Sequence, residues 1–290
     1  MRLIRWGCGA DVVDAAAIAA AVEAAIGQAA TQLRPDVARA LAAARETERS
    51  VRGARVLDQL LENARIAGAD RVPLCQDTGT VWVWVELGEQ ECAPVGLQPA
   101  IDAAVSRAYR DSGLRMSVCR DALLDRANTG DNTPAFVDVT LRPGTGARVH
   151  VMLKGGGSDN ASRLVMLEPG AGAAGVHDVV LETVRAKASA ACPPLVIGVG
   201  VGATFDKVGV LAKRALLRTV GEPPADPALA AFEAELLAAV NDTGIGPAGL
   251  GGDVTALAVH VATAPCHIAA LPVAVNMGCS AMRSVSVDVG

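Results

Sequence analysis

The chain has 290 residues, of which 51% are hydrophobic and 20% charged, a composition typical of a globular protein rather than a disordered one. The formal net charge is -5, and aromatic residues make up only 2% of the chain. Both values argue against a nucleic-acid-binding surface, because such surfaces are basic and commonly carry aromatic stacking groups.

The N-terminal segment has some features of a targeting signal or a membrane anchor. Two arginines precede an Ala-rich stretch, but Asp11, Asp14 and Glu23 interrupt the apolar run. No other segment offers about 18 uncharged apolar residues, the length that a membrane span requires. The sequence therefore predicts a cytoplasmic protein that does not enter the membrane.

The first seventy residues predict helices. Asp11 is expected to cap a helix that ends near Leu33, and Pro35 to lie in the first turn of a second helix. A third helix presents an apolar face made of Val56, Leu57, Leu60, Leu61 and Ala64.

The apolar period then changes to that of a strand. The segment Thr80–Leu87 is β-rich and predicts Trp82 and Trp84 on one face with valines on the other. A helix is predicted over Gln98–Arg110.

Two further segments, FVDVTLRP and ARVHVMLK, are predicted to be strands that form a hairpin through Gly144 and Gly146. The remainder predicts helices over Val176–Ala191, Asp206–Val220 and Pro227–Val240, and strands PPLVIGVGVGA, VTALAVHVA and LPVAVN. The fold class is therefore α+β, with N-terminal helices followed by mixed or antiparallel sheets flanked by helices. We expect one domain over residues 1–290, with a helical lobe (1–70) and an α+β lobe (71–290).

Glycines and polar residues concentrate in a few segments beside the predicted strands. These are PLCQDTG (73–79), NTGDNTPA (128–135), KGGGSDN (154–160), ACPPLVIGVGVGAT (191–204), NDTGIGPAGLGG (241–252) and PCHIAALPVAVNMGC (265–279). Such loops commonly carry binding and catalytic groups, and their glycines allow backbone N–H groups to approach an anion.

One of these segments fits a dinucleotide-binding pattern. Residues 198–203, GVGVGA, match G-x-G-x-x-A between a strand and a helix. The pattern also needs an acidic residue at the end of a second strand about twenty residues later. Gly221, Glu222, Pro223 and Pro224 occupy that region and predict a turn instead, which disfavours a nucleotide site.

The chain has seven cysteines with wide, irregular spacing and no C-x-x-C pair, which excludes a zinc ribbon or a ferredoxin-type site. In a reducing compartment they are inert core thiols or ligands of a soft metal centre. Cys75, Cys192 and Cys279 lie beside loop residues at strand boundaries, but their spacing alone does not decide between these two roles.

The six glycine-rich and polar segments together, in this order, resemble the class I (iron–sulfur) fumarase family. The similarity extends from about Arg34 to Arg283 and includes the helical segments RPDVARAL and ERSVRGARVLDQLLENARIA. The resemblance implies a hydro-lyase that interconverts fumarate and L-malate.

The resemblance also implies a cofactor and a set of site residues. A [4Fe–4S] cluster would be held by Cys75, Cys192 and Cys279, with one iron left open as an oxygen-sensitive Lewis acid. Asp77 and His267 match catalytic positions of the family, with Asp77 in acid/base work. The substrate-binding positions would be Gln76, Arg115, Gly155, Gly156 and Gly157. Lys154, the lysine before the glycines, has no assigned role.

Two residues depart from the family pattern. Asp159 replaces the usual glutamate, and Ser280 follows the third cysteine in place of an aromatic residue or histidine. Single-chain members also continue into a second catalytic domain. The expectation is therefore an α subunit of a two-subunit enzyme that needs a separate β subunit and forms a hetero-oligomer.

Three alternatives remain. The L-tartrate dehydratase α subunit shares the three cysteines, whereas NTPA, the lysine before the glycines and HIAALPVAVN favour fumarate. A hydratase of a related dicarboxylate such as mesaconate is also open. A non-catalytic, cluster-binding scaffold subunit would need none of Gln76, Asp77 and His267.

Overall fold

The computed structural model describes residues 13–290, so the predicted cap Asp11 lies outside the described residues. The chain divides into two compact units. Unit 1 comprises Met1–Gln32, Cys75–Lys154 and Arg283–Gly290, and unit 2 comprises Leu33–Leu74 and Gly155–Met282. The chain thus leaves unit 1 and returns to it twice. One of the boundaries, between Leu74 and Cys75, lies near residue 70, but the segment before it is divided between the two units at residues 32 and 33.

The described helices are α1 (Ala15–Thr31), α2 (Pro35–Thr47), α3 (Val51–Asp70), α4 (Leu97–Asp111), α5 (Gly156–Asn160), α6 (Gly172–Lys187), α7 (Phe205–Ala215) and α8 (Pro227–Asn241). The strands are β1 (Thr80–Gly88), β2 (Phe136–Arg142), β3 (Ala147–Lys154), β4 (Arg163–Leu167), β5 (Leu195–Ala203), β6 (Ala256–Cys266), β7 (Leu271–Gly278) and β8 (Ser284–Val289). The α+β prediction is confirmed.

Unit 1 contains a mixed four-stranded sheet in the order β2-β1-β3-β8. Strand β1 runs parallel to β2 and antiparallel to β3, so the predicted hairpin between β2 and β3 is wrong. The apolar strand β1 takes the buried position between them, and the more exposed β2 takes the edge. A short Gly-containing turn indicates that the chain reverses, but it does not determine which strand becomes the partner.

The alternation predicted for β1 is confirmed. Val81, Val83 and Val85 are fully buried in the apolar cluster that α1 and α4 help to form. Trp82 and Trp84 lie on the opposite face with ring centroids 6.0 Å apart. Asp14 caps α1 by accepting a hydrogen bond from the backbone N–H of Ala17.

Unit 2 contains a second mixed sheet in the order β4-β7-β5-β6, packed against α6, α7 and α8. Strand β5 is parallel to β6 and antiparallel to β7. Its glycines allow α7 to approach closely, because a Cβ at Gly198 would lie 2.1 Å from the carbonyl oxygen of Ala212, and one at Gly200 would lie 2.6 Å from that of Val208. The GVGVGA pattern is therefore explained by helix–sheet packing.

One stretch of the described chain, Ala15–Thr47, is long and apolar enough for a membrane span by length and composition. In the fold it consists of two helices, α1 and α2, separated at residues 32–34. Ile18, Val22 and Ile26 of α1 are fully buried in the cluster of unit 1. Core packing accounts for the hydropathy of α1.

Several boundaries differ from the predictions. Helix α7 ends at Ala215, earlier than predicted, and α6 begins at Gly172 and gives way to a 3-10 turn over Ala188–Ala191. The strands β4 and β8 and the short helix α5 were not predicted.

Candidate functional site

In unit 1, the loop between residues 75 and 79 carries three predicted site residues: Cys75, Gln76 and Asp77. Gln76 is exposed, whereas Cys75 and Asp77 are partly buried. The Nη1 atom of Arg115 donates a hydrogen bond to Oε1 of Gln76 at 2.9 Å. The structure therefore brings Arg115 to this loop, although 39 residues separate it from Gln76 in the sequence.

A buried hydrogen-bond network fixes the conformation of this loop. The hydroxyl of Thr78 donates to the carbonyl of Arg115 at 2.6 Å. The buried Tyr109 hydroxyl lies 3.0 Å from the carbonyl oxygen of Thr78 and 2.9 Å from that of Gly79. The Asn132 amide donates to the Gly79 carbonyl at 3.2 Å and accepts from the backbone N–H of residue 117 at 2.7 Å. The NTGDNTPA segment thus supports the loop that carries Gln76.

In unit 2, Cys192 and Cys279 lie at the same edge of the sheet. Cys192 precedes β5 and Cys279 follows β7, and these antiparallel strands pair Val196 with Gly278. The backbone N–H of Ser280 donates to the carbonyl of Cys192 at 3.1 Å. Neither cysteine is in a disulfide, and Cys192 is exposed whereas Cys279 is partly buried. Antiparallel pairing has brought together two thiols that are 87 positions apart in the sequence.

Two glycine-rich segments pack against the segment that carries Cys192. Gly157 is so close that a Cβ there would lie 3.1 Å from the carbonyl oxygen of Ala190. The backbone N–H of Ala248, from the NDTGIGPAGLGG loop, donates to the carbonyl of Pro193 at 2.8 Å. Gly156 and Gly157 expose their backbone, whereas Gly155 is buried. Four of the six segments singled out in the sequence therefore meet at this edge of the sheet.

A charged pair anchors the glycine turn, Gly155–Gly157 at the start of α5, to helix α7. The Nζ atom of the buried Lys213, on α7, lies 3.1 Å from Oδ1 of Asp159. Burial lowers the pKa of Lys213, and the Asp159 charge acts in the opposite direction. The amide of Asn276 on β7 also lies within 3.5 Å of Asp159. This aspartate, which replaces the family's glutamate, thus ties α5 to α7 and β7.

His267 does not join the two cysteines of unit 2. It lies in the exposed turn between β6 and β7, where its Nδ1 accepts from the backbone N–H of Ala269 at 3.1 Å. Cys279 lies at the other end of β7, and eight extended residues span about 25 Å. The active-site role of His267 is still a prediction.

The donor set of these segments fits an iron–sulfur cluster. None of Cys75, Cys192 and Cys279 is in a disulfide, each is at least partly exposed, and cysteine thiolates are the ligands that a cluster requires. Among residues 13–290, no three His, Cys, Asp or Glu side chains are grouped as ligands of a single metal ion. Cluster thiolates each bind a different iron, so such a grouping is not expected. Cys92 is disulfide-bonded, which removes it from the candidate ligands.

Sequence reasoning missed the supporting residues. Tyr109 and Asn132 hold the 75–79 loop, and Lys213 and Asn276 hold the glycine turn. A partial signal existed, since Asn132 and Asn276 lie in segments that carry the family resemblance. Tyr109 gave none, because a tyrosine in an amphipathic helix is indistinguishable from a core residue by sequence.

Comparisons with known proteins identify the family of the chain. The family described as fumarate hydratase (Fumerase) matches residues 19–288. A Methanocaldococcus jannaschii protein provisionally named L(+)-tartrate dehydratase subunit alpha is 38% identical over 88% of this chain and 92% of that protein. The L(+)-tartrate dehydratase subunit alpha of Escherichia coli strain UTI89 is 33% identical over 87% of this chain and 84% of that protein. The chain therefore belongs to the fumarate hydratase (Fumerase) family and is a hydro-lyase.

Proposed function

We propose that the chain is the α subunit of an iron–sulfur hydro-lyase that reversibly hydrates fumarate to L-malate. The observation that carries the proposal is the meeting of the glycine turn with the segments of Cys192 and Cys279 at one sheet edge in unit 2. An exposed glycine backbone beside two cysteine side chains suits a small anionic substrate bound next to a metal centre.

The side chains of the 75–79 loop would bind and deprotonate the substrate. Dehydration of malate removes a proton from the carbon beside one carboxylate and a hydroxide from the neighbouring carbon. Asp77 would accept that proton and return it in the reverse direction. His267 is proposed as a second catalytic group.

The contact between Arg115 and Gln76 suggests how a carboxylate would be oriented. Because Oε1 of Gln76 accepts from Arg115, its amide NH2 group is left to donate to a ligand. The guanidinium of Arg115 keeps further N–H donors for a carboxylate oxygen. The two side chains would therefore act together on one carboxylate, and Gly155–Gly157 would contribute backbone groups.

Cys75, Cys192 and Cys279 would hold a [4Fe–4S] cluster. When bound by three cysteines, such a cluster offers one iron as a Lewis acid for the substrate hydroxyl. The three thiols belong to loops rather than to apolar cores, which supports the assignment.

A separate β subunit is proposed as the partner, since the relatives are named as subunits alpha. The enzyme would be a heteromeric protein of the cytoplasm.

L(+)-tartrate is a second candidate substrate, and mesaconate a third. The names of the relatives favour tartrate. The segments NTPA, KGGG and HIAALPVAVN favour fumarate. Both reactions remove water from a four-carbon dicarboxylate, so the same side chains would serve either.

Anaerobic reconstitution with iron and sulfide, followed by addition of the β chain, tests the proposal. Fumarate absorbance, tartrate consumption and mesaconate absorbance would be followed with the same preparation. Turnover of fumarate alone supports the first candidate, and turnover of tartrate alone replaces it with the second. A complex that forms a cluster but turns over no dicarboxylate would indicate a scaffold subunit instead.

The ligand assignment has its own control within the chain. Cys75→Ser, Cys192→Ser and Cys279→Ser are each expected to lose the brown chromophore and most bound iron. Cys266→Ser, which changes an exposed free thiol outside the proposed ligand set, is expected to keep both.

A further inference from the structure

Arg283 is a buried arginine, and two of its three guanidinium nitrogens have no hydrogen-bond partner among residues 13–290. Its exposed fraction is only 2%, and its Nε and Nη1 atoms are buried without a hydrogen-bond acceptor. It forms no ion pair with any acid among residues 13–290. An arginine cannot lose its proton inside a protein, so this charge stays buried and uncompensated.

Two other arginines with a buried, unpaired Nε serve as a comparison. Arg142 donates through Nη2 to the carbonyl of Thr145 at 2.7 Å, and Arg218 forms an ion pair with Glu233. Each of these guanidinium groups therefore has a hydrogen-bond acceptor or an ion-pair partner. Arg283 differs because no such acceptor for its Nε or Nη1 atom is found among residues 13–290.

The strand register of unit 1 locates this guanidinium. Arg283 directly precedes β8, and its carbonyl accepts from the backbone N–H of Leu153 at 3.0 Å. Val285, two residues later, packs against the apolar cluster that contains Leu153 and Tyr109. Since alternate residues of a strand share a face, the Arg283 side chain lies on the same face of the sheet.

Tyr109 connects this face to the 75–79 loop. Its hydroxyl bonds the carbonyl oxygens of Thr78 and Gly79, directly after Gln76 and Asp77. Burial raises the pKa of Tyr109, whereas the charge of Arg283 lowers it, which indicates that the two groups are electrostatic neighbours. Arg283 is therefore a buried cation behind the loop that carries the proposed proton acceptor.

A dianionic substrate would supply what this guanidinium lacks. We propose that Arg283 binds a carboxylate of the substrate, an inference that rests on the proposed function. The planar guanidinium has five N–H donors that match the geometry of a carboxylate, which makes arginine suited to this role. The desolvated charge also makes the interaction stronger than one at an exposed arginine.

The test uses the cluster-loaded complex with the β chain, and malonate as an unreactive dicarboxylate probe. Arg283→Gln is expected to weaken malonate binding about 10- to 100-fold, the loss typical of a charge-assisted hydrogen bond. Arg283→Lys keeps the charge but loses the fork, so a smaller loss is expected. Arg148→Gln is the control. Arg148 is exposed on β3, with its Nε atom 3.9 Å from Oδ1 of Asp288, and this variant should bind malonate with wild-type affinity.

A purely structural arginine would give a different result. In that case Arg283→Gln would lower the melting temperature while malonate affinity stayed within twofold of wild type, and the proposal would be overturned. If Arg283→Gln does not fold, Arg283→Lys decides the matter, since wild-type affinity in that variant also contradicts a carboxylate fork.

The two proposals can fail separately. If malonate binding depends on Arg283 but no dicarboxylate is turned over, the proposed function fails and the carboxylate site stands. If the wild-type complex is active and Arg283→Gln retains its malonate affinity and KM, only the carboxylate site is rejected.

Discussion

Lys213 and Asp159 form an ion pair of 3.1 Å in which the lysine side chain is 7% exposed and the aspartate side chain 39% exposed. The pair joins α7 to the glycine turn of α5. Because the lysine is the more deeply buried partner, removing the aspartate should lower the free energy of unfolding more than removing the lysine.

Asp159→Asn is therefore predicted to lower the free energy of unfolding by about 2 to 4 kcal/mol, since it removes the carboxylate whose charge opposes that of the buried ammonium group. Lys213→Met should lower the free energy of unfolding by only about 1 to 2 kcal/mol, because the remaining carboxylate of Asp159 can reach water. Urea unfolding monitored by circular dichroism measures both values.

The control for this pair is Lys207→Met on the same helix. Lys207 is exposed and lies 3.9 Å from Asp206, so its loss should change stability by less than about 0.5 kcal/mol. If Lys213→Met lowered the free energy of unfolding more than Asp159→Asn, burial of the lysine would not determine the stability that this pair contributes.

Asn132 combines a left-handed backbone with two side-chain hydrogen bonds. Its φ is 60°, a value at which asparagine is tolerated better than alanine. Asn132→Ala should lower the free energy of unfolding by about 2 to 4 kcal/mol, because it loses both bonds and keeps the unfavourable φ. Asn132→Gly should cost about 1 kcal/mol less, since glycine adopts this φ readily.

Both Asn132 variants should also raise KM for the dicarboxylate, because the carbonyl of Gly79 loses a donor and the 75–79 loop loosens. Asn128→Ala changes an exposed residue of the same segment and serves as the control. Equal stability of the alanine and glycine variants would show that the backbone conformation contributes nothing.

Glu48 holds the NDTGIGPAGLGG loop through backbone N–H groups. Its carboxylate accepts from Ser50 at 2.8 Å, from Asp253 at 2.9 Å and from Val254 at 3.0 Å. Gly252 lies against it, since a Cβ there would be 2.8 Å from Oε2 of Glu48. Gly252→Ala should therefore displace the carboxylate and destabilise the protein by about 3 kcal/mol or more.

Gly251→Ala separates the steric effect from the backbone effect. Gly251 also has a positive φ, 84°, but a Cβ there would meet open space. Gly251→Ala should lower the free energy of unfolding by only about 1 to 2 kcal/mol, the penalty of the left-handed conformation. Thermal melting of the two variants measures the difference, and equal melting temperatures would rule out the clash.

His260 makes stability depend on pH. Burial chiefly lowers the pKa of His260 to about 4, with Arg218 acting in the same direction, while its Nδ1 lies 3.1 Å from the carbonyl oxygen of Ala215. The unfolded chain binds the proton near pH 6.5, so between about pH 4 and 6.5 it holds more protons than the folded chain. Stability should therefore rise by about 3 kcal/mol as the pH increases through this window.

His260→Gln should flatten that pH profile, because glutamine keeps a donor for the Ala215 carbonyl and does not titrate. His177→Gln, a change at the partly exposed start of α6, should leave the profile as in wild type. Unfolding midpoints at pH 4, 5, 6 and 7 provide the measurement, and parallel profiles for wild type and His260→Gln would contradict the prediction.

Local features of the fold followed from the sequence because local physics controls them. Pro35 begins α2, Pro227 begins α8, and the Trp and Val alternation of β1 matches the two faces of its sheet. Strand pairing was not predictable in the same way. The segments of β2 and β3 look like a hairpin, yet both pair with β1, because burial of the most apolar strand outweighs their short connection.

The sequence by itself determined the family, the cysteines that are candidate ligands and the loops that carry chemistry, since these depend on residue type and order. Only the tertiary structure revealed which residues support those loops. Tyr109 reaches Gly79 and Lys213 reaches Asp159 through contacts between distant parts of the chain, and Arg283 is buried without an ion-pair partner among residues 13–290. The physical reason is that burial and counter-charges depend on packing between segments, and neither is encoded in the neighbours along the chain.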